Sequence, residues 1–67
     1  MEKIMWWAYL HANGEVILKR WFRDKKDYTI DCEDNDFMMK VLQPFEYNDR
    51  NMAFEYATKI LKEERSV

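Results

Sequence analysis

The N-terminal third of the chain has two apolar runs on either side of a turn signal. Residues 4–10 and 16–22 are rich in aromatic and aliphatic side chains, and Asn13-Gly14 lies between them. An Asn-Gly pair in this position is the strongest short-range signal for a β-hairpin, because a two-residue type I′ turn needs positive φ at both central residues. The pattern therefore predicts a hairpin that turns at Asn13-Gly14 and places Trp6 opposite Trp21.

Both faces of this predicted hairpin are apolar, whereas a small sheet usually hides one face and exposes the other. Opposite residues of antiparallel strands share a face, so the pairing sorts the side chains into two sets. The set with fewer charges and more apolar bulk is predicted to face inward, and it includes Trp7, Tyr9, Val16, Leu18 and Phe22. The other set is predicted to face outward, and it includes Trp6, Leu10, Ile17, Lys19 and Trp21.

The C-terminal part of the chain has the periodicity of an amphipathic helix. Apolar residues recur at the intervals that place them on one helix face, namely Met52, Ala53, Tyr56, Ala57, Ile60 and Leu61. Asn48 or Asp49 can cap the N-terminus, because both side chains accept hydrogen bonds from free backbone amides. The pattern predicts a helix from about Asp49 to Glu64.

Between the hairpin and the helix, the sequence predicts one more strand. Phe37–Leu42 has the composition of a short strand, and Gln43-Pro44 is expected to end it because proline cannot donate to a strand ladder. Residues 31–36 are predicted to form a loop or one helical turn. The predicted fold class is α+β: a three-stranded antiparallel sheet, made of the N-terminal β-hairpin and a short third strand, packed on one C-terminal helix in two layers. Residues 1–67 are predicted to form a single domain.

The composition of the chain is typical of a folded, cytoplasmic domain. The chain has 67 residues, of which 48% are hydrophobic and 16% aromatic, and this balance favours a folded domain over a disordered chain. Its single cysteine, Cys32, cannot form an internal disulfide, which favours a reduced, cytoplasmic protein. The apolar run at residues 4–10 lacks the features of a signal peptide, and no segment approaches the length of a membrane span. We therefore expect a cytoplasmic protein without a membrane partner.

Five basic residues lie close together between residues 19 and 26, and they are the basis of a nucleic-acid-binding hypothesis. Aromatic rings interrupt this stretch, and such a combination can hold phosphate and stack bases. Its members are Lys19, Arg20, Arg23, Lys25 and Lys26. An acidic run follows directly at residues 27–36, and the net charge of the chain is −2. These carboxylates would repel a polyanion, so a solvated strand end whose charges largely cancel is the favoured interpretation.

The sequence contains no arrangement with catalytic or metal-binding spacing. His11 is the single histidine, and no second cysteine or histidine accompanies it at ligand spacing. Gly14 is the single glycine and belongs to the predicted turn, which leaves no glycine-rich loop to hold phosphate. The sequence therefore predicts no enzyme, no metal site and no cofactor.

Three runs of the chain resemble short uncharacterised proteins encoded by tailed bacteriophages. These runs are W-W-A-Y-L-H-A-N-G at Trp6–Gly14, K-R-W-F at Lys19–Phe22 and F-M-M-K-V-L-Q-P-F-E-Y-N-D-R-N-M-A at Phe37–Ala53. The resemblance implies a viral origin, a setting in the host cytoplasm and a role in binding a host protein. It implies no activity and no functional residues, and the segment 27–36 is more acidic here than the pattern of that group.

These observations lead to two functional hypotheses. One helix covers one face of a sheet, so the outward aromatic set is expected to remain open, and open aromatic patches mark partner surfaces. The first hypothesis is a small non-enzymatic binding protein that forms a homodimer and binds a host protein as its inhibitor or modulator. Its predicted interface consists of Trp6, Leu10, Ile17, Lys19 and Trp21. The alternative is a binder of nucleic acid or a nucleotide that uses the basic stretch Lys19–Lys26.

Overall fold

The chain folds as a three-stranded antiparallel sheet with one helix on one of its faces. The structure, a computed structural model, describes residues 4–24 and 27–63. Its elements are β1 (Met5–His11), β2 (Val16–Arg20), a 3-10 helix (Asn35–Phe37), β3 (Met38–Glu46) and α1 (Arg50–Leu61). Strand β1 lies in the centre of the sheet, between β2 and β3. The predicted α+β fold class is confirmed.

The hairpin turns at the predicted Asn-Gly pair, but through a three-residue loop. The amide of His11 donates to the carbonyl of Glu15 at 2.8 Å, and the amide of Gly14 donates to the carbonyl of His11 at 2.9 Å. Among the described residues Gly14 alone has positive φ, at +94°, so Asn13 does not meet the requirement of a type I′ turn. A three-residue loop that ends in a left-handed glycine is a common hairpin connection. The predicted type I′ turn is therefore wrong.

The longer loop shifts the register of the whole hairpin by one position. Trp6 lies opposite Arg20 instead of the predicted Trp21. Side chains alternate between the two faces of a strand, so a shift of one residue moves every β2 side chain to the other face relative to β1. The predicted inward set is therefore wrong, because it mixes residues of both faces, and Phe22 within it is 55% exposed.

Strand β3 is longer than predicted, because it continues through Pro44. Between the pair Trp6–Phe45 and the pair Ala8–Leu42, β3 has one more residue than β1, so the ladder contains a β-bulge. Proline is tolerated at this point because β3 is an edge strand and a bulged residue is not needed as a ladder donor. The strand end predicted at Gln43-Pro44 is therefore wrong.

Helix α1 begins at the capping residue that the sequence indicates. The Oδ1 atom of Asp49 accepts a hydrogen bond from the amide of Asn51 at 2.7 Å, so Asp49 is the cap and not Asn48. The helix ends at Leu61, and the predicted end at Glu64 lies outside the described residues. Among the described residues, no helix combines the length and apolarity that crossing a membrane requires.

Small residues allow α1 to pack closely on the sheet. Ala8 of β1 and Ala53 and Ala57 of α1 have no exposed surface. Ala8 and Ala57 belong to the helix-side core, whose other members are Val16, Leu61, Leu10, Leu18, Leu42 and Phe45. Trp6 lies on the same face of β1 by strand alternation, and its indole Nε1 donates to the carbonyl of Tyr47 at 2.8 Å.

The opposite face of the sheet is covered by the segment between β2 and β3. We call residues 21–37 the connector; residues 25 and 26 within it are not described. The connector folds back over β1 and forms a second core, which contains Trp7, Tyr9, Cys32, Ile17, Trp21, Tyr28 and Met38. The 3-10 helix at Asn35–Phe37 supplies the helical turn that was one of the two predictions for this segment. The prediction that the helix covers the face with Trp7 and leaves the other face open is therefore wrong: the helix covers the face with Ala8, and the connector covers the face with Trp7.

Candidate functional site

The five side chains predicted to share an open face do not share one. Trp6 and Leu10 lie on the helix-side face of β1, where Trp6 is buried. Ile17 and Trp21 belong to the second core under the connector. Lys19 lies opposite Trp7, which places it on the connector side as well. The one-residue shift of register therefore splits the predicted surface across both faces of the sheet.

The connector, the end of β2 and Trp7 of β1 line a pocket that is open to solvent. Its volume is about 220 Å³, which is smaller than the roughly 300–1,000 Å³ typical of sites for drug-sized ligands. Four aromatic residues line it, together with Cys32 and four charged residues. The aromatic residues are Trp7, Trp21, Phe22 and Tyr28, and the charged residues are Lys19, Arg20, Asp31 and Glu33. A pocket of this size and composition matches one ring system or one apolar side chain.

Strand pairing and the connector turns position the aromatic walls. Trp7 projects from the connector-side face of β1, and its ring centroid lies 4.7 Å from that of Tyr28. The amide of Trp21 donates to the carbonyl of Met5 at 3.0 Å, which extends the hairpin ladder beyond the end of β2. Trp7 and Trp21 are therefore fixed by the sheet, whereas Tyr28 is held by the connector.

An ion pair joins the charged side of the pocket to β2. The Nζ atom of Lys19 lies 2.9 Å from Oε1 of Glu33. The hydrogen bond to Glu33 raises the pKa of Lys19, and the same bond lowers the pKa of Glu33. Asp31 and Arg20 also line the pocket, and neither is in an ion pair within the described part of the chain. The two positive and two negative groups cancel, so the pocket has no formal net charge.

Arg20 connects the pocket with the helix-side face. Its guanidinium carbon lies 5.3 Å from the centroid of the Trp6 ring and 5.6 Å from that of Phe22. Both distances fall within the range of cation–π interactions. The guanidinium group is therefore held between two rings at the edge of the pocket, where Phe22 is exposed.

A polar cluster beneath the connector ties it to β1. The Tyr9 hydroxyl donates to Oδ2 of Asp34 at 2.6 Å, and the Cys32 thiol donates to the same hydroxyl at 3.6 Å. Burial raises the pKa of Tyr9 above its ordinary value, and the hydrogen bond to Asp34 raises it further, so the phenol stays neutral. His11 lies nearby, with Nε2 3.8 Å from Oδ1 of Asp34 and Nδ1 accepting the Asn13 amide at 3.0 Å. The Tyr9–Asp34 hydrogen bond is the shortest link between the connector and the sheet among those described here.

One buried polar atom next to the pocket has no partner. The indole Nε1 of Trp21 is inaccessible to solvent and makes no hydrogen bond within the described residues. A buried donor without an acceptor costs about 1–3 kcal/mol, so the packing of Trp21 under the connector is not fully optimised. On the other side of the sheet, Oγ1 of Thr58 is also buried and makes no hydrogen bond within the described residues.

The structure brings together only part of the predicted basic stretch. Lys19 and Arg20 line the pocket, Arg23 is exposed in the connector, and Lys25 and Lys26 lie outside the described residues. Sequence reasoning missed the connector residues Tyr28, Asp31, Cys32 and Glu33. A signal for two of them was present, because the mostly polar run 27–36 contains three apolar residues at alternate positions, Tyr28, Ile30 and Cys32.

The described residues contain no group of three or more His, Cys, Asp or Glu side chains placed to bind one metal ion. Comparisons with protein-family models, with curated proteins and with solved structures found no match to the chain. The resemblance to phage proteins therefore stays a prediction, and the functional argument depends on the geometry of the pocket.

Proposed function

We propose that the chain is a small non-enzymatic protein-binding module whose pocket receives one apolar or aromatic side chain of a partner protein. The observation that carries the proposal is the pocket of about 220 Å³ with walls from Trp7, Trp21, Phe22 and Tyr28. Protein interfaces are enriched in tryptophan, tyrosine and phenylalanine, and their binding energy concentrates where a central side chain fills a pocket.

The surroundings of the pocket also fit a protein partner. Phe22 and Ile30 are large apolar residues of the connector that are more than half exposed, at 55% and 69%. Phe22 lines the pocket and offers an exposed ring to a partner, whereas Ile30 does not line it. Charged side chains of both signs stand around it, which corresponds to the polar rim that surrounds the apolar centre of many interfaces.

The alternative hypothesis, a nucleotide or a single-stranded nucleic acid, has one observation in its favour. Lys19 and Arg20 line the same pocket as the aromatic rings, so one base could stack near two cations. Glu33 neutralises Lys19 at 2.9 Å, however, and Asp31 adds a second carboxylate. Because the formal charges of the described lining residues cancel, they offer a phosphate group no net attraction, and we favour the protein partner.

The proposal includes a host protein as the partner and the cytoplasm as the setting. The single cysteine supports a reducing compartment, because Cys32 is a buried free thiol that has no internal cysteine to pair with. The host partner rests on the resemblance to phage proteins.

Affinity capture from a bacterial lysate tests this function if it compares two matched variants. Phe22→Ala removes an exposed ring from the pocket wall, whereas Ile30→Ala removes an exposed apolar side chain that does not line the pocket. We expect the wild type and Ile30→Ala to retain the same protein partner and Phe22→Ala to lose it. The partner should remain bound after nuclease treatment and at high salt, because apolar contacts do not depend on counterion release.

Two results would count against the proposal. If Phe22→Ala retains the same partner as the wild type, the pocket is not the binding site. If capture disappears with nuclease and weakens steeply with salt, the nucleic-acid alternative takes its place.

A further inference from the structure

Helix α1 exposes an apolar stripe that the sheet does not cover. Met52, Tyr56 and Ile60 are spaced four residues apart and are 54%, 36% and 36% exposed. At 3.6 residues per turn, each lies about 40° further around the helix than the one before, so together they form a single stripe. The stripe lies beside the buried Ala53 and Ala57 on the predicted apolar face of α1. Ala53 and Ala57 are covered by the sheet, whereas the stripe is exposed.

The stripe lies on the β3 side of the molecule. The ring of Tyr56 packs on Phe45, with centroids 5.0 Å apart, and on Tyr47, with centroids 5.2 Å apart. Phe45 belongs to strand β3, which is an edge of the sheet. Within the described residues, β3 pairs with β1 alone, so its other edge faces away from the sheet. The apolar stripe and the open edge of β3 are therefore neighbouring parts of one surface.

The charged residues beside the stripe are placed so that they can pair with the same residues of a second copy of the chain. Glu55 and Lys59 lie one turn apart on the side of the stripe that faces away from the sheet, and both are exposed. Within the described part of the chain, neither is in an ion pair. When two copies of α1 pack antiparallel about a two-fold axis near Tyr56, Glu55 of each copy comes opposite Lys59 of the other. A parallel arrangement would place like charges together.

We propose that this surface binds a second copy of the chain, with the two α1 helices antiparallel. A two-fold axis makes such an interface isologous, so the same patch serves both copies. The same axis, normal to the sheet, also brings the two β3 edges towards each other in antiparallel orientation. The surface lies on the opposite side of the sheet from the pocket, so the dimer leaves the proposed partner site open.

The dimer is expected to be weak. Stable interfaces bury about 800 Å² of surface on each partner, and three partly exposed side chains with a strand edge supply less than that. Its mass should therefore depend on protein concentration, with a monomer at low micromolar and a dimer towards millimolar concentration.

Sedimentation velocity over a concentration series tests the proposal with charge variants. Lys59→Glu should weaken the dimer about tenfold, because it creates two symmetric like-charge contacts. The double variant Glu55→Lys with Lys59→Glu exchanges the two charges and should restore wild-type association. For the apolar part, Met52→Lys should abolish the dimer, and Phe54→Lys is the matched control because Phe54 is exposed on the other flank of α1.

Circular dichroism of each variant confirms that it remains folded. A wild-type protein that stays monomeric up to millimolar concentration overturns the proposal. It is also overturned if the double variant fails to recover the association lost in Lys59→Glu, or if Phe54→Lys weakens the dimer as much as Met52→Lys.

Discussion

Replacing Tyr9 with phenylalanine tests the link between the connector and the sheet. The substitution keeps the buried ring and removes the hydroxyl that donates to Asp34 at 2.6 Å. A hydrogen bond to a charged acceptor contributes about 1.5–3 kcal/mol. The Asp34 side chain is 27% exposed, so its carboxylate can recover water when the hydroxyl is absent, which favours the lower end of this range. We expect Tyr9→Phe to lower the free energy of unfolding by about 1.5 kcal/mol at pH 7.

The pH dependence gives this prediction a second and sharper readout. The unfolded chain releases the tyrosine proton near pH 10, whereas burial and the bond to Asp34 raise the pKa of Tyr9 in the folded chain. Above pH 10 the folded state therefore holds a proton that the unfolded state has lost. The stability that Tyr9 contributes is complete below pH 10 and falls by about 1.4 kcal/mol for each further pH unit.

Urea denaturation followed by circular dichroism at pH 7 and pH 11 measures both effects. The wild type should be the more stable protein at pH 7, and the difference should almost vanish at pH 11, because Tyr9→Phe lacks the titrating group. Titration of the other side chains is common to the two proteins and cancels in the comparison. A difference in stability that is the same at both pH values would refute the account of Tyr9 as a buried, neutral donor.

Three further pairs of substitutions test the fold. Gly14→Val should lower the free energy of unfolding by more than about 1 kcal/mol, because a β-branched residue resists positive φ, and Gly14→Asn should lower it less. If Gly14→Val and the wild type have equal melting temperatures, residue 14 does not have a left-handed backbone conformation. Trp6→Ala and Trp7→Ala should each lower the free energy of unfolding by about 3–5 kcal/mol, because the two side chains lie on opposite faces and are only 6% and 3% exposed. If Trp6→Ala is as stable as the wild type in urea titration, the helix does not bury the Trp6 side chain. Asp49→Ala should cost about 1 kcal/mol through loss of the helix cap, and Asn48→Ala, measured in the same thermal scans, should have little effect.

The sequence predicted the type and order of the elements because those features depend on local patterns. The apolar periodicity of α1, the capping potential of Asp49 and the Asn-Gly turn are each readable within a few residues. The hairpin register was not readable in this way. Asn13-Gly14 suits both a two-residue loop and a three-residue loop that ends at Gly14, and this single difference decides which side chains of β2 join Trp7 or Trp6.

The candidate site depended on that register and on a long-range fold of the connector. Its acidic composition between residues 27 and 36 indicated a solvated loop, yet Tyr28 and Cys32 supply enough apolar surface to hold it on Trp7 and Tyr9. Lys19 and Trp21 were singled out from the sequence for an open face, and they instead line the pocket that the connector forms.

The central claim, that the pocket receives one apolar or aromatic side chain of a partner, is tested most directly by the indole signals of the three tryptophans. In ¹⁵N-labelled protein titrated with N-acetyl-tryptophanamide, the Nε1–H resonances of Trp7 and Trp21 should shift along saturable curves, because both residues line the pocket. Trp6 lies on the other face of the sheet and serves as the internal control, so its resonance should stay in place. The account is contradicted if no resonance shifts saturably, or if Trp6 shifts as much as the other two.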